Sequence, residues 1–233
     1  MSCGFGIHVE LLKPKMALRD YLFYEEPGIT LYCGDCLEVL PFLEEIETVI
    51  TDPIWPNAHP DFLAREDTSY PARLFNKMLA RLPCSVERLI VWLGCQSDPR
   101  FLTEVPVRFP FLRMAYLRRA VPSYNGRCLV SGDVIYAFGQ WPDSREGGRV
   151  IPGECSVTSI PSLREAHPAA RNEGHARWVV KWWGQGLILD PFAGTGTTLV
   201  ACKAQGVAAV GIEIEPKYCE IAVKRLRQGV LLL

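Results

Sequence analysis

Apolar residues recur along this chain in short blocks, set between segments whose apolar positions repeat at helical spacing. Residues 29–32, 48–51, 89–93, 187–189 and 207–213 are such blocks. Each predicts a buried strand, because aliphatic side chains on both faces suit a sheet covered on both sides. Residues 37–43, 72–82, 175–183, 197–205 and 216–228 carry the helical spacing and predict helices. Residues 111–121 and 127–138 predict two more strands, with Ser123-Tyr124-Asn125-Gly126 as the turn between them. The first 28 residues show no period and predict a loosely packed extension. Residues 57–71 read as a loop. Residues 141–161, with Gly147-Gly148 and several prolines, read as an irregular insertion.

Strand, turn, helix, strand, helix in the C-terminal part is a βαβα order. That order predicts a parallel sheet with helices on both faces, hence an α/β fold. At 233 residues, one domain spanning 1–233 is expected. No internal repeat or low-complexity tract interrupts it.

The sharpest local signal is Leu187-Ile188-Leu189-Asp190-Pro191-Phe192-Ala193-Gly194-Thr195-Gly196-Thr197-Thr198. A buried strand ends in an acid, a glycine-rich loop turns, and a helix starts at two threonines. Glycines let backbone amides approach a ligand, and the first turn of a helix favours an anionic group. Glu213 closes the next strand, where an acid can accept hydrogen bonds from both hydroxyls of a ribose. Loop and acid together point to a nucleoside-containing cofactor. Leu199 stands where the dinucleotide fingerprint has its third glycine, which disfavours a pyrophosphate and favours S-adenosylmethionine.

Residues 190–198 resemble the FxGxG cofactor motif of amino-directed DNA methyltransferases. Gly211-Ile212-Glu213-Ile214-Glu215-Pro216-Lys217-Tyr218, followed by Ile221-Ala222, is similar to that family's next motif. Gly34-Asp35-Cys36 resembles its short N-terminal element. The resemblance implies a Rossmann-like methyltransferase fold and an S-adenosylmethionine site built from Asp35, Cys36, Asp190, Phe192, Ala193, Gly194, Thr195, Gly196, Thr197, Thr198 and Glu213. His167-Pro168-Ala169-Ala170-Arg171 resembles the family's His-Pro-x-x-Lys-Pro element. That adds His167 and Arg171 to the cofactor set, with Arg171 pairing to the methionine carboxylate by a two-pronged bond. Cys33 and Cys36 also make a CxxC pair, but a zinc site needs further ligands at matching spacing, and none follows. No metal is expected.

Thr51-Asp52-Pro53-Ile54-Trp55 resembles the family's catalytic Asp-Pro-Pro-Tyr or Asp-Pro-Pro-Trp. An exocyclic amine is a poor nucleophile because its lone pair is delocalised into the ring. The Asp52 carboxylate can accept one N–H and the Pro53 carbonyl the other, which aims the lone pair and disperses the growing charge. Trp55 offers a flat face for an extruded base. Ile54 departs from the family's second proline. It removes stiffness from the turn but none of the acceptor atoms. By resemblance, an aspartate in the motif suits the 6-amino group of adenine, while relatives acting on the 4-amino group of cytosine more often carry serine. RNA or a protein glutamine amide fits the same acceptor pair. A catalytically silent DNA-binding relative is a reading of another class.

The motif order, catalysis before cofactor, resembles the permuted β class, whose DNA-reading segment lies between the two. Residues 108–165 fill that gap. Net charge is −1 overall, yet residues 108–181 hold 11 Lys plus Arg against 6 Asp plus Glu, so the middle is basic and the ends acidic. Arg118, Arg119, Tyr124, Asn125 and Arg127 are the candidate contacts to double-stranded DNA, and residues 141–161 the candidate base readers. His175 and the tryptophans 178, 182 and 183 read most simply as core. The 9 cysteines are odd in number and scattered, no signal-like segment precedes them, and no apolar run approaches the ~20 residues that span a bilayer. A cytoplasmic, reducing setting is the expectation.

Overall fold

The computed structural model describes residues 17–55, 70–143, 150–157 and 171–228. Its strands are β1 (Leu22–Glu26), β2 (Ile29–Cys33), β3 (Ile46–Thr51), β4 (Arg88–Gly94), β5 (Phe111–Asn125), β6 (Cys128–Gly139), β7 (Glu154–Ser156), β8 (Leu187–Asp190) and β9 (Ala209–Glu213). They form one sheet in the order β1-β2-β9-β8-β3-β4-β6-β5-β7. The helices are α1 (Cys36–Val39), α2 (Pro71–Leu79), α3 (Glu173–Trp183), α4 (Thr197–Lys203) and α5 (Pro216–Arg227).

The five central strands β2, β9, β8, β3 and β4 run parallel. From β8 the chain passes through α4 to β9 on one side, and from β3 through α2 to β4 on the other. The order therefore reverses between β8 and β3, and a crevice opens beyond their C-terminal ends. Adjacent residues on a strand face opposite layers. Ile50, Ile90 and Trp92 pack with Val180, Trp183, Leu199 and Ala222 of α3, α4 and α5. Val49, Leu89 and Val91 pack with Val39, Phe75 and Met78 of α1 and α2. The result is a sheet between two helical layers, as the βαβα order implied.

The structure departs from the sequence reading in three places. Part of the first 28 residues is ordered sheet: β1 pairs antiparallel with β2 at the edge. Its side chains are mostly exposed or half-buried, so it lacks the alternation that marks a half-buried strand. The hairpin of β5 and β6 turns at Gly126 and Arg127, between the paired Asn125 and Cys128, later than the expected turn. Gly126 has φ 58°, and that positive value requires the glycine at the first central position. Finally, β5 and β6 continue the central sheet through β4, so much of residues 108–165 is sheet, and only the hairpin's far end projects.

No described helix is long and apolar enough to cross a membrane. Among the described residues no group of His, Cys, Asp and Glu is arranged to hold a metal ion.

Candidate functional site

Four neighbouring strands bring the motifs to one edge. Parallel pairing of β2, β9, β8 and β3 aligns their C-terminal ends, so Asp35, Glu213, the loop after Asp190 and Asp52 lie in a row. Strands spaced about 4.8 Å apart give that row a length of roughly 15 Å.

At the β8 end, the loop is held by its own backbone and by acids. Gly194 and Gly196 take φ 53° and 76°. A side-chain carbon on Gly196 would sit 2.8 Å from Cβ of Ala222, whereas one on Gly194 would meet nothing within 4 Å. Gly196 is thus required by helix packing, and Gly194 faces open space. The Gly194 amide donates to Glu213 Oε2 and the Glu215 amide to Oε1, each at 2.8 Å. Burial raises the Glu213 pKa, and these backbone donors pull it down. Asp190 is buried and accepts from the Phe192 amide at 3.1 Å and from the Thr198 hydroxyl. Burial pushes its pKa up to about 7. Ala193, Thr195, Thr197 and Thr198 are buried around it and Phe192 is half-buried.

Beyond β9 lies the Gly34-Asp35-Cys36 element. The Gly34 amide donates to the Glu213 carbonyl at 2.9 Å, which extends the β2–β9 pairing. Asp35 caps α1 by accepting from the Leu37 amide at 2.8 Å. The Cys36 thiol is buried, and burial raises its pKa well above the ordinary value. The ring of Tyr21 lies over Gly34, where an added side-chain carbon would be 2.4 Å away, and its hydroxyl donates to Glu38 at 3.0 Å.

At the β3 end, Asp52 and Trp55 are fixed by different means. The Trp55 indole N–H donates to the Trp92 carbonyl of β4 at 3.2 Å. Its ring packs on Gly94, where an added carbon would stand 2.6 Å away. Arg171 holds Asp52: Nε donates to Oδ2 at 2.5 Å and Nη2 to Oδ1 at 2.9 Å. Its Nη1 donates to Asp133 of β6 at 3.1 Å, and its Cζ lies 4.4 Å from the centre of the Trp55 ring. Burial raises the pKa of Asp52 and the Asp133 charge adds to the rise, while Arg171 opposes both. The charges of Asp52 and Glu213 in turn raise that of Asp190, so the catalytic candidate and the two cofactor-side acids share one electrostatic neighbourhood. Pro53 is buried and Ile54 half-buried.

Several candidate residues find partners that sequence spacing did not indicate. The two-pronged bond expected of Arg171 is made to Asp52, not left for a ligand carboxylate. Arg118 pairs with Glu154 at 2.8 Å across β5 and β7. Arg119 pairs with Asp133 at 2.9 Å across the hairpin. Tyr124 and Arg127 are exposed at the hairpin's end, and Asn125 ends β5. His175 is buried, with Nε2 2.9 Å from the Arg118 carbonyl, so it is a satisfied core side chain, and Trp183 is buried too. His167 and residues 144–149 and 158–165 of the expected reading segment lie outside the described residues.

Arg225 of α5 was missed by sequence reasoning. Its Nη1 donates to the Thr195 carbonyl at 2.6 Å and to the Thr197 hydroxyl at 3.0 Å, clamping the glycine loop from beneath. The available signal was its place three residues past Ala222, on the stripe that Cys219, Ala222 and Leu226 bury. A cation on an apolar stripe calls for a buried acceptor.

Comparison with known proteins matches residues 140–224 to the DNA methylase family N6_N4_Mtase. The type II methyltransferase M.ScaI of Streptomyces caespitosus is 46% identical over 65 residues, which are 27% of this chain and 21% of that protein. M.HinfI of Haemophilus influenzae is 55% identical over 42 residues, 18% of this chain and 12% of that protein. The orphan methyltransferase M.BamHII of Bacillus amyloliquefaciens is 31% identical over 84 residues, 35% and 32%. The matched stretches thus span about a third or less of these relatives' own lengths. Among solved structures, the M1.HpyAVI–SAM complex superposes with a TM-score of 0.66 at 20% identity, covering 85% of this chain and 98% of that one. The PvuII DNA methyltransferase, described as cytosine-N4-specific, gives 0.63 at 17% identity, covering 88% of each. At these identities the likeness is one of fold.

Proposed function

We propose that this chain, which has the S-adenosylmethionine-dependent methyltransferase fold and matches a DNA methylase family over residues 140–224, methylates an exocyclic amine of a base in duplex DNA after base extrusion. The observation that carries this reading is the row of strand ends. It sets the acid that ends β9, the glycine loop after β8 and the Asp-Pro-Ile-Trp segment after β3 along one crevice.

The residues at the β8 and β9 ends fit S-adenosylmethionine. Glu213 has a carboxylate for ribose hydroxyls, Asp35 sits on the next strand end, and Gly194 leaves open space above its backbone. Asp190, Phe192, Ala193, Thr195, Gly196, Thr197 and Thr198 shape the loop beneath. When bound, S-adenosylmethionine supplies an electrophilic methyl group. Asp52 accepts one N–H of the target amine and the Pro53 carbonyl accepts the other, which localises the nitrogen lone pair and offsets the charge that grows on it. Trp55, held by Trp92 and Gly94, supports the base by stacking. Transfer leaves the nitrogen with one proton too many, and the Asp52 carboxylate is the acceptor beside it.

Adenine N6 is the target we favour, because Asp52 occupies the motif's acid position. Tyr124 and Arg127, exposed at the β5–β6 hairpin's end, support a DNA-facing role for that end of the hairpin, whereas Arg118 and Arg119 lie farther down it in ion pairs with Glu154 and Asp133. The test is transfer of a labelled methyl group from S-adenosylmethionine to duplex DNA, followed by digestion and chromatography of the nucleosides. Label in N6-methyl-2′-deoxyadenosine supports the assignment. Label in N4-methyl-2′-deoxycytidine overturns the choice of base, and absence of label from DNA overturns the function.

A further inference from the structure

The guanidinium of Arg171 lies where the proposed function needs a base. In the proposed pocket a base amine donates one N–H to Asp52 and the other to the Pro53 carbonyl while its ring stacks on Trp55. Arg171 occupies two of those three places: it sets N–H donors on the Asp52 carboxylate and a flat delocalised cation 4.4 Å from the centre of the Trp55 ring. The overlap extends to both elements at once, so base and guanidinium exclude each other.

Arg171 also has somewhere to go. Its third prong already rests on Asp133 of β6, a buried acid that Arg119 of β5 grips with two contacts of 2.9 and 3.1 Å. Asp52, Arg171, Asp133 and Arg119 form one chain of alternating charge from the strand-end crevice to the hairpin. Removing Arg171 from Asp52 therefore leaves the guanidinium with a partner. An ion pair with Asp52 alone would not need this second contact with the Trp55 ring.

We infer that Arg171 is a positioning residue that stands in for the target base: it fills the base's place in the DNA-free protein, holds Asp52 and Trp55 in position, and moves onto Asp133 when a base enters. The inference rests on the proposed base pocket. It requires that DNA binding be weakened by whatever fraction of the time Arg171 occupies that pocket. Rotation about the arginine side chain suffices for the exchange, and no bond is made or broken.

The test uses the full chain with its arginines labelled with the heavy nitrogen isotope. The Arg171 Nε–H signal is assigned by its loss in Arg171→Lys. In the DNA-free protein this N–H is expected to exchange slowly with solvent. Saturating unmethylated duplex DNA with S-adenosylhomocysteine should shift the signal and speed its exchange by about ten-fold or more. The same DNA, methylated to completion by the protein, should leave it near its DNA-free position. A signal unmoved by bound unmethylated DNA overturns the inference.

Kinetics give a second, independent reading. Arg171→Lys keeps the charge but loses the plane and the paired donors, so the KM for DNA should fall several-fold while the KM for S-adenosylmethionine holds. A rise confined to the KM for S-adenosylmethionine would return Arg171 to a cofactor carboxylate and overturn the inference. If the wild-type chain transfers no methyl group to DNA, the proposed function fails first and takes the inference with it. Transfer with either contrary result above sinks the inference alone.

Discussion

The carboxylate of Glu213 accepts a hydrogen bond from the backbone amide of Gly194, across the gap between the ends of β9 and β8. With the Glu215 amide on its other oxygen, this acid ties the glycine loop to the start of α5 before any ligand arrives. A hydrogen bond to a charged group contributes about 1.5–3 kcal/mol. Glu213→Ala should therefore weaken S-adenosylmethionine binding by roughly 10- to 100-fold, with Glu213→Gln in between, as measured by calorimetric titration. Equal affinities in all three proteins would remove Glu213 from the site.

Arg225 supports the same loop from the opposite side, through the Thr195 carbonyl and the Thr197 hydroxyl. Arg225→Ala leaves that carbonyl without its donor and should cost about 2 kcal/mol. That corresponds to a fall in Tm of roughly 4–8 °C for a chain of this size. Saturating cofactor should recover part of the loss, because a ligand that binds only the folded chain stabilises it. Thermal unfolding with and without cofactor checks both statements.

Gly94 should matter to the DNA side and not to the cofactor side. Its missing side chain is the space that the Trp55 ring occupies. Gly94→Val pushes that ring out of place, so the KM for DNA should rise by about ten-fold while cofactor affinity stays within two-fold. An equal loss of both would mean that Gly94 is a general packing position.

Asp190 gives the chain a pH dependence of definite sign. Burial, above all, lifts its pKa to about 7 from the ordinary 3.8. A carboxyl whose pKa is higher folded than unfolded binds its proton more tightly in the folded chain. Its contribution is therefore present below about pH 4 and is lost as the pH climbs through about 7. Between about pH 5 and about pH 8 the wild type should lose more stability than Asp190→Asn, as read from urea midpoints. Parallel profiles for the two proteins would contradict this.

The parts of this architecture that are local in sequence were legible in it. β8, the glycine loop, α4, β9 and α5 follow one another in fewer than fifty residues, and Gly194 and Gly196 announce backbone that only glycine adopts easily. The strand that runs into the candidate Asp52-Pro53 segment was legible for the same reason. What stayed hidden depends on residues far apart. The partners of Arg171 lie 119 and 38 residues away, and that of Arg118 lies 36 away across β7, a strand of 3 residues. Long side chains on neighbouring strands choose partners by three-dimensional position, which charge counts cannot supply. β1 was hidden for another reason: at a sheet edge, its side chains need no buried face.

The most direct measurement compares wild type and Asp52→Ala in the presence of labelled S-adenosylmethionine and duplex DNA, scoring cofactor binding and methyl transfer separately. The expected result is cofactor binding within a few-fold of wild type and transfer to DNA reduced by about a thousand-fold or more, since the group that aims the amine is gone. Transfer that persists at the wild-type rate in Asp52→Ala would contradict the assignment of the strand-end crevice as the place where a base amine is methylated.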